Sequence, residues 1–293
     1  MKQISSWHPI VSMVYFLSVM LIIMFSVNPL IMMLGVLGSI LLFVMLEGYG
    51  RFLKELKFYL LLFVLVTFIN PLFSHDGVTT LFYLNGNPVT LEAILYGVYI
   101  AFMLVAVMYW FKCFNAVITN DKLLYLIGGI SPKISLIISS ALRFIPLLKE
   151  QAGKIRQSQK AMGLFTSDAW TDRLAGTARV YSALITWALE HAIDTGASMK
   201  GRGYGLKGRS RYSIFRMTGA DIINLIVIVL LDVVIIGFMA TGKLNFTFYP
   251  EISAVASAEG SIYAFAAFAL LSLLPVILEV KESVLWIYYK SKI

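Results

Sequence analysis

Three sets of residues have types and spacings that chemistry can use. The run Gly203-Tyr204-Gly205-Leu206-Lys207-Gly208-Arg209-Ser210 has the glycine spacing of a phosphate-binding loop. In such a loop, backbone N–H groups cradle the phosphates and a lysine reaches them. Here Arg209 stands where the lysine belongs, and a helical rather than a strand pattern leads into the first glycine. No nucleotide or other cofactor is therefore expected on this chain. The second set is Asp232 inside Leu230-Leu231-Asp232-Val233-Val234. A carboxyl group centred in an apolar span costs about 2.5–3.5 kcal/mol to insert, so it faces protein, water or a partner. It serves either a proton or cation relay or an interhelical hydrogen bond. A relay needs further polar stations, and the nearest acids, Asp221 and Glu279, stand at span ends. The structural role is favoured. The third set is His8, His75, His191 and the single Cys113. The histidines lack metal-ligand spacing, and one cysteine makes no internal disulfide or thiolate site. No metal site and no catalytic residue is expected.

A fourth pattern does no chemistry but repeats. Ala161-Met162-Gly163 and Gly201-Arg202-Gly203 each close a long helical pattern about 20 residues after a Ser-Ala-Leu, at Ser140-Ala141-Leu142 and Ser182-Ala183-Leu184. Glycine is a common helix terminator. Two helices with basic, glycine-terminated ends project two similar tips, and two similar tips suit a pair of similar partners. Equally, the helices pack on each other and the glycines are ordinary stops.

What must position these residues is read from composition. The chain has 293 residues, 59% hydrophobic and 14% charged, with mean hydropathy +0.82. Soluble domains carry nearer 25% charged residues. That excludes a cytosolic enzyme, and the 20 Phe, 15 Tyr and 5 Trp exclude a disordered chain. Apolar runs of about the length that crosses a bilayer lie at Pro9–Val27, Leu30–Leu46, Phe58–Phe73, Leu91–Phe111, Ala220–Ala240 and Ile262–Val280. Six spans are expected, the second and third short. A cleavable leader is not expected, because Lys2 is the sole early positive charge and a second apolar run follows at once.

Charge gives the orientation. Residues 112–217 hold 16 of the 24 Lys and Arg, while the 74–89 loop holds none. Positive loops stay cytoplasmic, so both termini and the 112–217 segment are expected inside. The net charge of +8 is then a topology signal, not a nucleic-acid surface. Three regions follow: spans one to four in 1–111, the cytoplasmic region in 112–217, and spans five and six with a tail in 218–293. The cytoplasmic region reads as two long helices, from Ser131-Pro132 to about Gly163 and from about Asp168 to Lys200. Pro146 is expected to kink the first. Leu174, Tyr181, Leu184, Ile185, Ala188, Ala192 and Ile193 form a stripe along the second. Trp110 and Trp286 fall near span ends, where an aromatic belt is expected. Asn245-Phe246-Thr247 is a glycosylation triplet that matters only in a eukaryote.

The run Ala141-Leu142-Arg143-Phe144-Ile145-Pro146-Leu147-Leu148, with Glu150, Ile155, Gln159 and Ala161-Met162-Gly163, resembles the first coupling helix of the transmembrane T component (EcfT/CbiQ-like) of energy-coupling factor transporters. Ala197-Ser198-Met199-Lys200-Gly201-Arg202-Gly203-Tyr204 resembles the second. The resemblance implies an all-α integral membrane protein of about six transmembrane helices, with two long cytoplasmic coupling helices, crossed or V-shaped, between spans four and five. It implies a non-catalytic subunit whose tips, Ala161-Met162-Gly163 and Gly201-Arg202-Gly203, dock into grooves on two ABC-type ATPase subunits, which would bind the ATP. Arg143, Pro146 and Glu150 would support the first coupling helix. A small membrane S component would choose the cargo, a vitamin, metal ion or similar micronutrient. The family carries an arginine in the middle of each triplet; Met162 replaces the first, and Lys160 is then the nearby cation. Two rival readings are a stand-alone ion-coupled transporter using Asp232 and a membrane assembly scaffold without transport.

Overall fold

The computed structural model describes residues 3–74, 77–84, 87–163, 169–206, 215–249 and 261–290. They form two compact units, one of residues 1–123 with 215–293 and one of residues 124–214.

The first unit is a helical bundle. After α1 (Gln3–Ser6) come α2 (Pro9–Phe25), α3 (Pro29–Glu47), α4 (Tyr49–Phe73), α5 (Leu91–Val117), the start of α6 (Asn120–Ile130) and, after the second unit, α9 (Gly219–Ala240) and α10 (Ser261–Lys290). Helix starts follow from the sequence. Pro9 and Pro29 occupy the first helical position, where a missing N–H costs nothing. The preceding His8 and Asn28 cap with their side chains, Asn28 Oδ1 accepting from the Leu30 N–H at 3.0 Å. Thr218 and Asp221 make a reciprocal capping box at α9.

α3, α4, α5, α9 and α10 are long and apolar enough to cross a bilayer; α2 is equally apolar over 17 residues. α5 packs on α2, α3 and α4, and α3 packs also on α10. The core is aromatic: Tyr15 and Phe16 of α2 meet Trp110 of α5 edge to face, and Tyr109 meets Phe43 and Tyr59. Close crossings use small residues. At Gly97 of α5 a Cβ would lie 2.8 Å from the Thr67 carbonyl oxygen of α4, and at Gly38 of α3 it would lie 3.0 Å from Ser272 Cβ of α10.

The helices differ from the apolar runs in extent. α4 begins at Tyr49, so Arg51, Lys54 and Lys57 are helical rather than in a loop, and it continues through Pro71. α5 runs on to Val117 and α10 to Lys290. The longer α5 corrects the reading of Trp110: it is buried inside the bundle, donating from Nε1 to the Gly35 carbonyl at 3.0 Å, and is no belt residue. Between α4 and α5 the loop contains an antiparallel hairpin, β1 (Thr80–Leu84) with β2 (Asn87–Thr90), where only a loop was expected. Glu92, in the first turn of α5, ties it down by accepting from the Thr79 N–H at 3.2 Å and from its hydroxyl.

The second unit contains α7 (Pro132–Ala161) and α8 (Trp170–Gly201), packed on each other. At 30 and 32 residues they are roughly 45 and 48 Å long. α7 passes through Pro146 as one helix. The short α6 before it was absent from the two-helix reading, and Ser135 Oγ of α7 donates back to the Leu124 carbonyl of α6 at 3.0 Å.

Candidate functional site

The two triplets end their helices in the same way. Met162 and Arg202 are the C-cap residues, at φ −82°, ψ 9° and φ −85°, ψ 12°. Gly163 and Gly203 follow, both at φ +82°, a conformation that favours glycine. The Gly163 N–H donates to the Lys160 carbonyl and the Gly203 N–H to the Lys200 carbonyl, each at 3.0 Å. At the second tip the Tyr204 N–H also reaches the Met199 carbonyl at 3.0 Å, completing a Schellman end. The structure thus brings each triplet together as one exposed turn, with a duplicated backbone and a different middle side chain.

That difference is chemical. Arg202 offers a planar fork of donors suited to a carboxylate, whereas Met162, 71% exposed, offers a flexible apolar side chain suited to an apolar hollow. Lys160, a neighbour of Met162, is exposed. Ala161 and Gly201 are exposed as well, and Gly203 is half-buried.

The residues assigned to support are placed on the outer surface of α7. Arg143 and Pro146 are exposed, and Glu150 pairs with Lys154 one turn on at 2.7 Å. That hydrogen bond holds the Glu150 carboxyl below the usual range. Both partners are more than 60% exposed, so the pair contributes little to stability.

The α7–α8 seam uses part of the expected stripe only. Val180 and Gly176 are buried, and Leu184 and Ala188 are half-buried. Leu174, Tyr181, Ile185 and Ile193 are exposed, as are Ile137 and Ile145 of α7. The seam also accounts for His191, whose ring stacks on Trp187 at 5.1 Å and meets Phe144 edge to face at 5.4 Å. His75 lies outside the described residues. So do Lys207 to Ser210 of the phosphate-loop look-alike; its first glycine, Gly203, closes α8.

In the bundle, α2 and α9 run side by side with their N-termini together. The His8 N–H donates to Asp221 Oδ1 at 3.1 Å; farther along α9, Asp232 is buried, and its Oδ1 has no hydrogen-bond partner among the described residues. The buried face of α9 carries Asp221, Ile228, Asp232 and Ile235. Asp232 thus faces protein, as a carboxyl group centred in an apolar span requires. Asp232→Asn keeps a polar group there and should leave the melting temperature of the purified protein within about 2 °C of wild type, since intramembrane hydrogen bonds average roughly 0.6 kcal/mol. A much larger drop would show that the carboxylate itself is required.

Sequence reasoning missed a cluster at the α2–α9 junction. His8, Lys122 and Asp221 are all buried there, from positions far apart in the chain. His8 caps α2 through Nδ1, which accepts from the Ile10 N–H at 3.4 Å and so must be unprotonated. Burial holds the His8 imidazole below its ordinary value of 6.5, with the Lys122 charge adding and the Asp221 charge opposing. A depressed histidine contributes stability that is present above the unfolded value and lost as pH falls through the lower folded value. Melting of the purified protein should therefore drop as pH falls below about 6.5. His8→Asn, which keeps an acceptor, should flatten that slope; an unchanged slope would remove His8 from the account.

With the tips and bundle defined, comparison with known proteins becomes decisive. The model of the family described as cobalt transport protein, CbiQ, matches residues 2–214, a stretch that includes both tips. The chain belongs to the CbiQ family. Its relatives include proteins named energy-coupling factor transporter transmembrane protein EcfT. That of Listeria innocua is 38% identical over 102 residues, covering 34% of this chain and 38% of the relative. That of Bacillus subtilis is 36% identical over 101 residues, 33% of this chain and 38% of the relative. That of Lactococcus lactis subsp. cremoris is 24% identical over 221 residues, 71% and 81%. The matched stretch spans about two fifths of the length of the first two relatives. As a CbiQ family member with five helices long and apolar enough to cross a bilayer among its described residues, the chain is a multi-pass, all-α membrane protein, similar to proteins named as transmembrane components of energy-coupling factor transporters.

Proposed function

We propose that this subunit couples ATP hydrolysis on two ABC-type ATPase subunits to import of a micronutrient through a separate small membrane S component. α7 and α8 are the coupling helices, and the Met162 and Arg202 turns are the parts that enter the ATPase grooves. The observation that carries this is the duplicated C-cap: one backbone shape presented twice suits two partners of one fold. The exposed apolar side chains Ile137 and Ile145 of α7 and Ile185 and Ile193 of α8 support it. They form a surface that water alone leaves unfavourable and that partner subunits would cover. Excess positive charge in residues 112–217 supports a cytoplasmic position for both helices and both termini. The subunit itself is non-catalytic and binds no ATP, metal or nucleic acid in this reading.

Affinity purification of the tagged chain in mild detergent tests it. Two ATPase subunits and a small hydrophobic protein should accompany the chain. A chain recovered alone that still moves solute in liposomes under a proton gradient would instead support ion-coupled transport through Asp232.

A further inference from the structure

The proposed docking leaves unused the buried charges at the point where the chain leaves the membrane bundle and returns to it. Lys122 stands in the first turn of α6, one residue before the bundle unit gives way to the second unit after Leu123. It is 4% exposed, and its Nζ has no hydrogen-bond partner. Asp221 stands in the first turn of α9, just after the chain rejoins the bundle at Phe215, and is 6% exposed. Lys122, Asp221 and His8 act on one another electrostatically. Yet Lys122 and Asp221 are not in contact: the ion pairs within 4 Å among the described residues are Arg51–Glu47, Lys112–Glu55 and Lys154–Glu150.

A buried ammonium without a partner costs several kcal/mol. A buried carboxylate with vacant acceptor capacity is its natural complement. Asp221 Oδ1 accepts from the His8 N–H at 3.1 Å, and Oδ2 from the Thr218 N–H at 3.1 Å and the Thr218 hydroxyl at 2.7 Å. A carboxylate has about four lone-pair sites, so one direction on Oδ1 is open. Asp221 is held on both sides by α2 and by its own cap. Lys122 is carried by α6, an eleven-residue helix leading straight to α7. Both residues belong to the bundle unit, but Asp221 is held by α2 and its own cap, whereas Lys122 stands one residue before that unit ends, on the helix that continues toward α7.

We infer that Lys122 and Asp221 are the halves of a gated ion pair, open in this structure and closed when α6 moves with the coupling helices. Lys122 is then a positioning residue that gives the displaced state a contact the resting state lacks. The inference rests on the ATP-driven reading above.

The pair makes a prediction that differs in sign between two states, which a merely structural lysine does not. The experiment uses the co-purified complex, nucleotide-free and trapped with ATP and vanadate, with melting temperature as the readout. Lys122→Met removes an unpaired buried charge from the resting state and should raise its melting temperature by about 2–4 °C. In the trapped state the same variant removes a pair and should lower it by a similar amount. Lys122→Arg should follow wild type in both states, and Asp221→Asn should abolish the trapped-state loss caused by Lys122→Met. Shifts of one sign in both states, or none in either, would overturn the gate. If Lys122→Met does not assemble, Lys122→Cys with Asp221→Cys in a Cys113→Ser background gives the distance directly. Cross-linking by a short bis-thiol reagent should rise several-fold on trapping, and equal yields would overturn the proposal. Failure of the ATP-driven reading looks different: no ATPase co-purifies, and nucleotide leaves the wild-type melting temperature unchanged.

Discussion

Arg202→Ala should reduce ATP-driven uptake to background while the variant still inserts into the membrane. The guanidinium is exposed at the end of α8 on a turn fixed by three backbone hydrogen bonds, from Arg202, Gly203 and Tyr204. Alanine at the C-cap keeps that backbone, because φ −85° is open to any residue. The loss is therefore confined to what the side chain touches in a partner. Removing one member of a hydrogen-bonded charge pair at an interface costs about 2–5 kcal/mol, and 3 kcal/mol is roughly a hundredfold in affinity. Met162→Ala removes a few methylene equivalents from a side chain already 71% exposed, and at about 0.8 kcal/mol per buried CH₂ it should weaken docking several-fold at most. The check is ATPase recovered with each tagged variant, alongside uptake. Equal, negligible losses from both would remove the tips from the docking role.

Gly97→Leu should abolish accumulation of the folded protein. α5 crosses α4 so closely that even a Cβ at position 97 would sit 2.8 Å from the Thr67 carbonyl oxygen and 3.1 Å from Asn70 Cβ. Asn70 is itself held, its Nδ2 donating to the Ala93 carbonyl of α5 at 2.8 Å. Backbone oxygen cannot swing aside as a side-chain tip can, so the helices must separate. Overpacking typically costs about 1–3 kcal/mol, and more when backbone must move. Fluorescence-detected size exclusion of the tagged variant measures it; Gly97→Ala should show a milder loss of melting temperature, and a Leu variant that elutes like wild type would disprove the close crossing.

The fold was legible where the signal is local. Apolar runs located the spanning helices, and Pro29, Leu91 and Pro132 marked starts within a residue or two. The triplets 161–163 and 201–203 were readable because glycine at a C-terminus has a backbone reason. Ends of helices were less legible: α5 continues past Phe111 to Val117, and that extension turned Trp110 from a presumed surface anchor into a core residue. The hairpin does carry a local signal, since Asn-Gly, here Asn85-Gly86 after the apolar Leu81-Phe82-Tyr83-Leu84, is the strongest short-range hairpin cue. The stripe on α8 was real as periodicity, but periodicity does not say whether a face meets α7 or stays open. The cluster of His8, Lys122 and Asp221 had no sequence signal at all, because its members stand at the starts of α2, α6 and α9, elements far apart in the chain.

The duplicated C-cap separates the shape of each tip from its chemistry. Because the capping glycine and its hydrogen bonds hold the turn whatever stands before it, the residue at 162 or 202 can change without disturbing the fold. Under the docking proposed above, partner choice would be a one-letter label at each arm, written independently of the scaffold. A methionine tip and an arginine tip would then select their partners by different chemistry on one shared backbone.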